Sequence, residues 1–255
     1  MPQPWRLLVM GSADAFTNMA IDEAILQHVA GGESPPTLRF YGWRPSAVSI
    51  GYFQGIELEV DLDVCHTRGV DVIRRLTGGG AVYHDTEGEV TYSLAVAESY
   101  AGIPNRVLDS YAFLCSGLVV GLGLLGIAAE FRPINDITAG EKKISGNAQT
   151  RRFGGILQHG TLLCEVDPQL MFTLLKVPNE KFRDKLIQGV EERVTSIKRE
   201  IGEVDRERIV DALVRGFSQA LGVEFESGAL KDAELALAAK LRTERYATHA
   251  WNHKR

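Results

Sequence analysis

Two neighbouring segments in which apolar and polar residues alternate constrain the fold most strongly. They read KKISGNAQTRR and GGILQHGTLLCEV, and they meet around Arg151 to Gly154. Alternation with a period of two is typical of strands that bury one face, and a short link containing glycine between two such strands predicts a hairpin. We therefore expect an antiparallel sheet with one face in a hydrophobic core.

The rest of the chain predicts helices around further strands. A strand over Trp5 to Met10 precedes a helix whose apolar residues between Met19 and Val29 recur at helical spacing. The glycine run TGGGAVYHD leads into two alternating stretches, which predict another hairpin. Arg106 to Ile127 has the spacing of a long helix. This order of elements predicts one α/β domain over residues 1–255, with a helical C-terminal third from about residue 168 to 255.

Composition narrows the possible functions. The chain has 255 residues, 45% of them hydrophobic, and can bury a core without disulfide or metal support. Its net charge of −5 gives no overall basic field, so no nucleic-acid partner is expected. The longest apolar stretch, Leu118 to Ala129, is shorter than a membrane span, and the three cysteines lack disulfide or zinc spacing. We therefore expect a cytoplasmic protein with no membrane partner.

The segment RRLTGGGAVYHD, Arg74 to Asp85, is the clearest candidate for ligand binding. Consecutive glycines let backbone N–H groups approach an anion, and arginine supplies paired donors. The spacing matches neither a Walker loop nor a dinucleotide fingerprint, and a flexible turn is the alternative interpretation. Two histidines are further candidates: His84 after the glycines and His159 in LQHGTLL. Each could act as a general base, although His159 is more simply explained as a hydrogen-bonded wall residue.

A second candidate segment is NDITAGEKKISGNAQTR, which begins at Asn135. Lys143 precedes small residues at the mouth of a predicted strand, where an ammonium group suits a phosphate and a carboxyl oxygen. A solvated lysine is the alternative. Asp136 could hold Lys143 or Mg²⁺, or could start an Asx turn with Asn135.

Together, RRLTGGGAVYHD, KKISGNAQ and HGTLL resemble the signatures of the lipoate-protein ligase A family, which is related to octanoyltransferases and biotin ligases. NMAIDEAIL, LRFYGW, GYFQ and ERYATHAWN extend the resemblance over nearly the whole chain. It implies the biotin/lipoyl protein ligase catalytic-domain fold, an α+β arrangement with a mixed, mostly antiparallel sheet flanked by helices. It also implies a short form, in which the accessory C-terminal domain of the best-known ligases is absent.

The resemblance further implies an activity, its cofactors and its partners. Lipoate and MgATP would give lipoyl-AMP, and the lipoyl group would pass to a lysine of an acceptor lipoyl domain. The acceptor would be of the glycine cleavage H protein or 2-oxoacid dehydrogenase E2 type, and a separate accessory subunit could take part. Lys143 would be the catalytic residue, and Asp136 could hold Mg²⁺. The substrate- and ATP-binding residues would be Arg75, Gly78, Gly79, Gly80, Ala81, Val82, Tyr83, His84, Asn135, Asp136, Lys143, Gly146, Ala148 and His159.

Two other functions stay open at this point. SGNAQTR and ILQHGTLL resemble the octanoyl-carrier-protein transferases as much as the ligases. That branch uses a cysteine in the loop before the lysine and tends to have an arginine in the glycine run; Phe131 to Lys143 contains no cysteine, and the run reads GGG. A non-catalytic protein that binds lipoyl groups or docks carriers is the other alternative. For any of them, Arg74, Arg151 and Arg152 would form a basic rim towards an acidic acceptor.

Overall fold

A computed structural model describes residues 4–176 and 183–254, and its strands form two sheets. In the larger sheet, two neighbouring pairs of the described strands, at one edge, are parallel, and the other five pairs are antiparallel. This confirms the expected α+β fold with a mixed, mostly antiparallel sheet. In spatial order the strands are β11 (Phe225–Ser227), β1 (Trp5–Ala13), β2 (Thr37–Trp43), β6 (Glu89–Ala97), β10 (Gly155–Leu163), β9 (Lys142–Arg152), β8 (Asp136–Ala139) and β7 (Ala129–Arg132).

The smaller sheet has β3 (Ala47–Ile50) at its centre. The strand β4 (Asp71–Arg74) lies parallel to β3 on one side, and β5 (Val82–His84) lies antiparallel on the other. The chain between β4 and β5 is the glycine run, which therefore connects the two outer strands of this sheet. That placement puts the glycine run at one end of β3.

Helices cover both faces of the larger sheet. The helix α1 (Ala15–Ala30) packs on the face formed by β6 and β10, whereas α4 (Val107–Leu124) and α8 (Arg206–Leu221) pack on the opposite face. The first helix begins after Asp14, whose carboxylate accepts a hydrogen bond from the Thr17 N–H at 2.9 Å. The helices are α1 (Ala15–Ala30), α2 (Ile56–Glu59), α3 (Leu62–Thr67), α4 (Val107–Leu124), α5 (Pro168–Leu174), α6 (Arg183–Arg193), α7 (Ile197–Ile201), α8 (Arg206–Leu221), α9 (Asp232–Leu241), a π-helical turn (Arg242–Tyr246) and α10 (His249–Asn252).

The hairpin around residues 151–154 is confirmed. The two faces of its second strand, β10, lie in different environments. Ile156 and Leu162 of β10 face the core under α4 and α8. His159 and Thr161, on the opposite face of the same strand, line a cavity. The period of two therefore places one set of side chains in the core and the other at a candidate site.

The second predicted hairpin, after the glycine run, is wrong. The strand β5 pairs with β3, whereas β6 joins the larger sheet between β2 and β10. The carboxylate of Asp85 accepts hydrogen bonds from the backbone N–H groups of Glu87 and Gly88, and this Asx turn directs the chain from one sheet to the other. Three short strands, β7, β8 and β11, were also missed. Residues 179–188, whose spacing predicts a helix, begin outside the described residues.

The most apolar helix, α4, packs one face against the core, and 44% of its residues are buried. Its 18 residues have a mean hydropathy of 1.7, which by length and composition would suit a membrane span. However, Gly121 approaches α8 so closely that a Cβ on Gly216 would lie 2.3 Å from the Gly121 backbone nitrogen. Close packing against an amphipathic helix explains the apolar composition of α4 as that of a core helix.

We predict that Gly216→Ala lowers the free energy of unfolding by about 3 kcal/mol, because the added methyl group meets backbone atoms that cannot move aside. The matched control is Gly123→Ala in α4, where a Cβ meets nothing within 4 Å. Urea denaturation of both variants is the measurement. Equal stability of the two variants would contradict the packing described here.

Candidate functional site

A cavity of about 870 Å³ brings the predicted site residues together. It lies between the glycine run, the ends of β9 and β10, and the helices α5 and α6. Two predicted residues, Gly78 and Asp136, are not part of the wall. The predicted residues that line the cavity are Arg75, Gly79, Gly80, Ala81, Val82, Tyr83, His84, Asn135, Lys143, Gly146, Ala148 and His159.

The glycine run folds around the side chain of Arg75. Gly79 has a φ of 98°, a conformation that favours glycine. One terminal nitrogen of Arg75 donates to the carbonyl oxygens of Gly78 and Gly80 at 2.8 and 2.7 Å, and the other donates to the carbonyl and hydroxyl oxygens of Ser49 at 3.0 and 3.2 Å. Its Nε–H donates to Thr77 Oγ1 at 3.1 Å. All five N–H groups of this buried guanidinium are therefore directed at the protein.

Lys143 reaches the cavity because of a bulge and a neighbouring glycine. Thr138 of β8 pairs with Lys143 whereas Ile137 pairs with Ser145, so β9 contains one extra residue here. The lysine side chain crosses Gly146, where a Cβ would lie 2.9 Å from its Nζ. Its ammonium group then lies 2.6 Å from Oδ1 of Asp136. Asp136 thus holds Lys143, which is one of the three interpretations that the sequence left open.

Asn135 is fixed to β9 by reciprocal hydrogen bonds with Asn147. The Asn147 side-chain amide donates to the Asn135 carbonyl at 2.9 Å, and the Asn135 amide donates to the Asn147 carbonyl. Tyr92 of β6 donates to Asn147 Oδ1 at 2.8 Å. The loop that carries Asp136 is therefore anchored to the centre of the larger sheet.

Both candidate histidines are buried and paired with carboxylates that the sequence analysis missed. Nδ1 of His84 lies 2.9 Å from Glu89, and Nδ1 of His159 lies 3.3 Å from Asp22. Burial lowers the pKa of His159, against the opposing effect of Asp22, so this imidazole is neutral at pH 7. The acidic pair in NMAIDEAIL was a signal for Asp22. Carboxylates within an otherwise apolar helix are rarely buried unless a charged or hydrogen-bonding partner accompanies them.

Asp22 lies at the junction of several elements. Its carboxylate contacts Arg39 at 2.7 Å and accepts hydrogen bonds from Ser93 and Tyr41. Burial alone would raise the pKa of Asp22, but Arg39 and the hydrogen bonds lower it below the ordinary value. The carboxylate is therefore charged at neutral pH.

No cysteine lines the cavity, and all three cysteines lie among the described residues. Cys65 and Cys115 are buried, and Cys164 is half-buried. Burial raises the pKa of Cys65 to about 11 and that of Cys115 and Cys164 to about 12. Because the thiolate is the nucleophile, thiols with such raised pKa values are held in the less reactive, protonated form at neutral pH.

Two further expectations concern a metal site and a basic rim of arginines. Within the described ranges, no group of three His, Cys, Asp or Glu side chains could hold a metal ion, and the carboxylate of Asp136 is engaged by Lys143. Arg74 is not part of a basic rim, because it is fully buried and donates to backbone carbonyls such as those of Gln54 and Asn252. Arg151 is mostly buried, and Arg152 stacks on the ring of Tyr52.

Known proteins resemble this chain over almost its full length. Octanoyltransferase LipM of Kyrpidia tusciae is 41% identical, over 99% of this chain and all of that protein. A solved structure of a bi-partite lipoate protein ligase from Thermoplasma acidophilum superposes with a TM-score of 0.90 and 35% identity, covering 98% of this chain and 96% of that one. Lipoate-protein ligase A bound with ATP gives a TM-score of 0.85 and 33% identity, covering 98% and 99%.

The model of the lipoyl protein ligase A/B catalytic domain matches residues 14–218, a range that contains the glycine run, Lys143 and both buried histidines. The predicted resemblance is confirmed at the level of the family, which includes relatives named as ligases and as transferases. The chain therefore belongs to the lipoyl protein ligase A/B catalytic-domain family.

Proposed function

We propose that this protein is a lipoate-protein ligase, which transfers a lipoyl group from lipoyl-AMP to a lysine of an acceptor lipoyl domain without using a protein thiol. The observation that carries this proposal is the placement of Lys143, held by Asp136 over Gly146, in a cavity wall without a cysteine. The relatives span ligases and transferases, so the choice between them depends on the chemistry of the cavity.

Lys143 suits the electrostatic demands of this transfer. When an amine attacks an acyl-adenylate, negative charge develops on the acyl oxygen and AMP leaves. A fixed ammonium group stabilises both the developing oxyanion and the phosphate, and needs no covalent intermediate. Asp136 and the Asn135–Asn147 pair hold the ammonium in place before substrate arrives.

The proposed donor follows from the absence of a cysteine in the described wall of the cavity. An acyl-adenylate is already activated, so the acceptor lysine can attack it directly. Mg²⁺ would arrive on the ATP phosphates, since the described residues include no group of three His, Cys, Asp or Glu side chains that could hold it without them. Structural relatives described as bound with ATP and with lipoic acid support this substrate pair.

The proposed partners follow from the same relatives. The archaeal ligase is described as bi-partite and was studied with its E2 lipoyl domain. We therefore propose an acceptor lipoyl domain of the H-protein or E2 type and a separate accessory subunit for adenylation. Cytoplasmic action is consistent with the unpaired cysteines.

Octanoyl transfer from a carrier protein is the second candidate. It is favoured by the names of the curated relatives, among them octanoyltransferase LipM of Moorella thermoacetica, which is 37% identical over 99% of both chains. The transferase branch uses a cysteine in the loop before the lysine, and the corresponding loop here has none. Transfer by this chain would then have to proceed from the thioester without an acyl-cysteine.

We predict that Lys143→Ala reduces transfer from preformed lipoyl-AMP to an apo lipoyl domain by at least about 100-fold, because a donor to the developing oxyanion is lost. Since 39% of the Lys143 side chain is exposed, the melting temperature should not change. Intact-mass measurement of the acceptor gives the rate. Lys142→Ala, on the exposed neighbour, is the control and should be fully active. A folded Lys143→Ala variant with near-normal transfer would refute the assigned role.

Iodoacetamide at pH 7.5 should neither modify the folded protein within an hour nor slow the transfer, because burial keeps all three thiols protonated. The same reagent should modify Cys65, Cys115 and Cys164 after unfolding in urea. Mass spectrometry and the transfer assay are read on the same samples. Loss of transfer on modification of a single cysteine in the folded protein would show that the reaction does need a thiol.

A further inference from the structure

Arg75 lies where two similar chains of hydrogen bonds meet. Each chain begins at a buried carboxylate, passes through a histidine and a hydroxyl group, and ends on the Arg75 guanidinium. The opposite edge of the guanidinium binds the carbonyls of Gly78 and Gly80. Arg75 thus connects both chains to the glycine run.

The first chain is Glu89, His84 and Ser49. Glu89 Oε1 lies 2.9 Å from His84 Nδ1, and His84 Nε2 lies 2.8 Å from Ser49 Oγ. Ser49 Oγ then accepts from Arg75 at 3.2 Å. The imidazole stacks on the indole of Trp43 with ring centroids 4.1 Å apart, so the histidine is fixed from the side as well.

The second chain is Asp22, His159 and Thr77. Asp22 Oδ2 lies 3.3 Å from His159 Nδ1, and His159 Nε2 lies 2.7 Å from Thr77 Oγ1. Thr77 Oγ1 accepts from Arg75 Nε at 3.1 Å. The two chains come from different elements, since Glu89 belongs to β6 and Asp22 to α1.

The partners determine where the protons lie. A carboxylate only accepts, so Nδ1 of each histidine carries the hydrogen. Each hydroxyl oxygen accepts from Arg75, which leaves its own hydrogen for Nε2 of the histidine. Every donor in both chains then has an acceptor, and Arg75 has no N–H group left for a ligand.

We propose that Glu89–His84–Ser49 and Asp22–His159–Thr77 are two positioning relays that hold Arg75 against the glycine run, so that Arg75 shapes this loop and does not itself contact the substrate. The proposal departs from the role that the family resemblance implied for Arg75. Binding of an anionic adenylate then depends on Lys143 and on the backbone N–H groups of a loop held in one conformation.

Glu89→Gln tests the first relay without removing a group that contacts Arg75. The amide keeps the shape of the carboxylate but can donate to His84 Nδ1, which allows the other tautomer and disrupts the hydrogen bond from Ser49. We expect the backbone ¹⁵N order parameters of Gly78, Gly79 and Gly80 to fall from about 0.85 to below about 0.6. The melting temperature should not decrease by more than a few degrees.

The ligand readout rests on the proposed function. The dissociation constant of lipoyl-sulfamoyl-adenosine, an inert analogue of lipoyl-AMP, should rise about 10-fold in Glu89→Gln and in Ser49→Ala. The double variant should be no weaker than the weaker single variant, because both changes break one chain. The control is Glu98→Gln, which alters an exposed carboxylate just beyond the other end of β6 and should change neither readout.

Unchanged order parameters in a folded Glu89→Gln variant would overturn the proposal, and so would additive losses of affinity in the double variant. A third contradictory result would be an Arg75→Gln variant that loses affinity for the analogue while the glycine run stays as rigid as in the wild type. Arg75 would then contact the ligand. If the protein does not bind the analogue at all, the proposed function fails, whereas the order parameters still decide whether the relays hold the loop.

Discussion

The buried ion pair between Asp22 and Arg39 is the interaction on which the site depends. It joins α1 to β2, and the same carboxylate accepts hydrogen bonds from Ser93 of β6 and contacts His159 of β10. A buried charge that loses its partner costs several kcal/mol, so these elements can be arranged in few other ways. The position of His159, and through Thr77 that of Arg75, follows from this pair. The opposite face of the same sheet is an ordinary apolar core under α4 and α8.

In this arrangement, the side chains that hold the site rigid are different from the side chain proposed to act on the substrate. His84 and His159 are the obvious general bases by residue type. Both are buried, and both ring nitrogens of each lie within hydrogen-bond distance of a partner. Lys143, by contrast, is charged and partly exposed in the cavity wall. Positioning and charge neutralisation are what transfer from an adenylate requires, whereas transfer through an acyl-cysteine would require a reactive thiol. The names of the curated relatives and the chemistry of the cavity therefore favour different donors for the same acyl transfer.

Sequence patterns predicted the parts of this structure that depend on local order. The β9–β10 hairpin and α1 follow from periodicity, and the glycine run and Lys143 meet in one cavity as expected. Pairing of β5 with β3 was not predictable in this way, because it depends on a turn at Asp85 and on partners distant in the chain. The direction in which side chains point was not predictable from the sequence either. Arg74 and Arg75 are adjacent in sequence, yet Arg74 is buried against the C-terminal residues while Arg75 supports the glycine run.

The identity of the acyl donor tests the central claim most directly. An apo lipoyl domain would be incubated with this protein and either lipoyl-AMP or an octanoylated acyl carrier protein without ATP, and its intact mass would be measured over time. The account predicts a lipoyl mass increment with lipoyl-AMP and none from the carrier protein. An octanoyl increment from the carrier protein, with none from lipoyl-AMP, would contradict it and would identify the chain as a transferase.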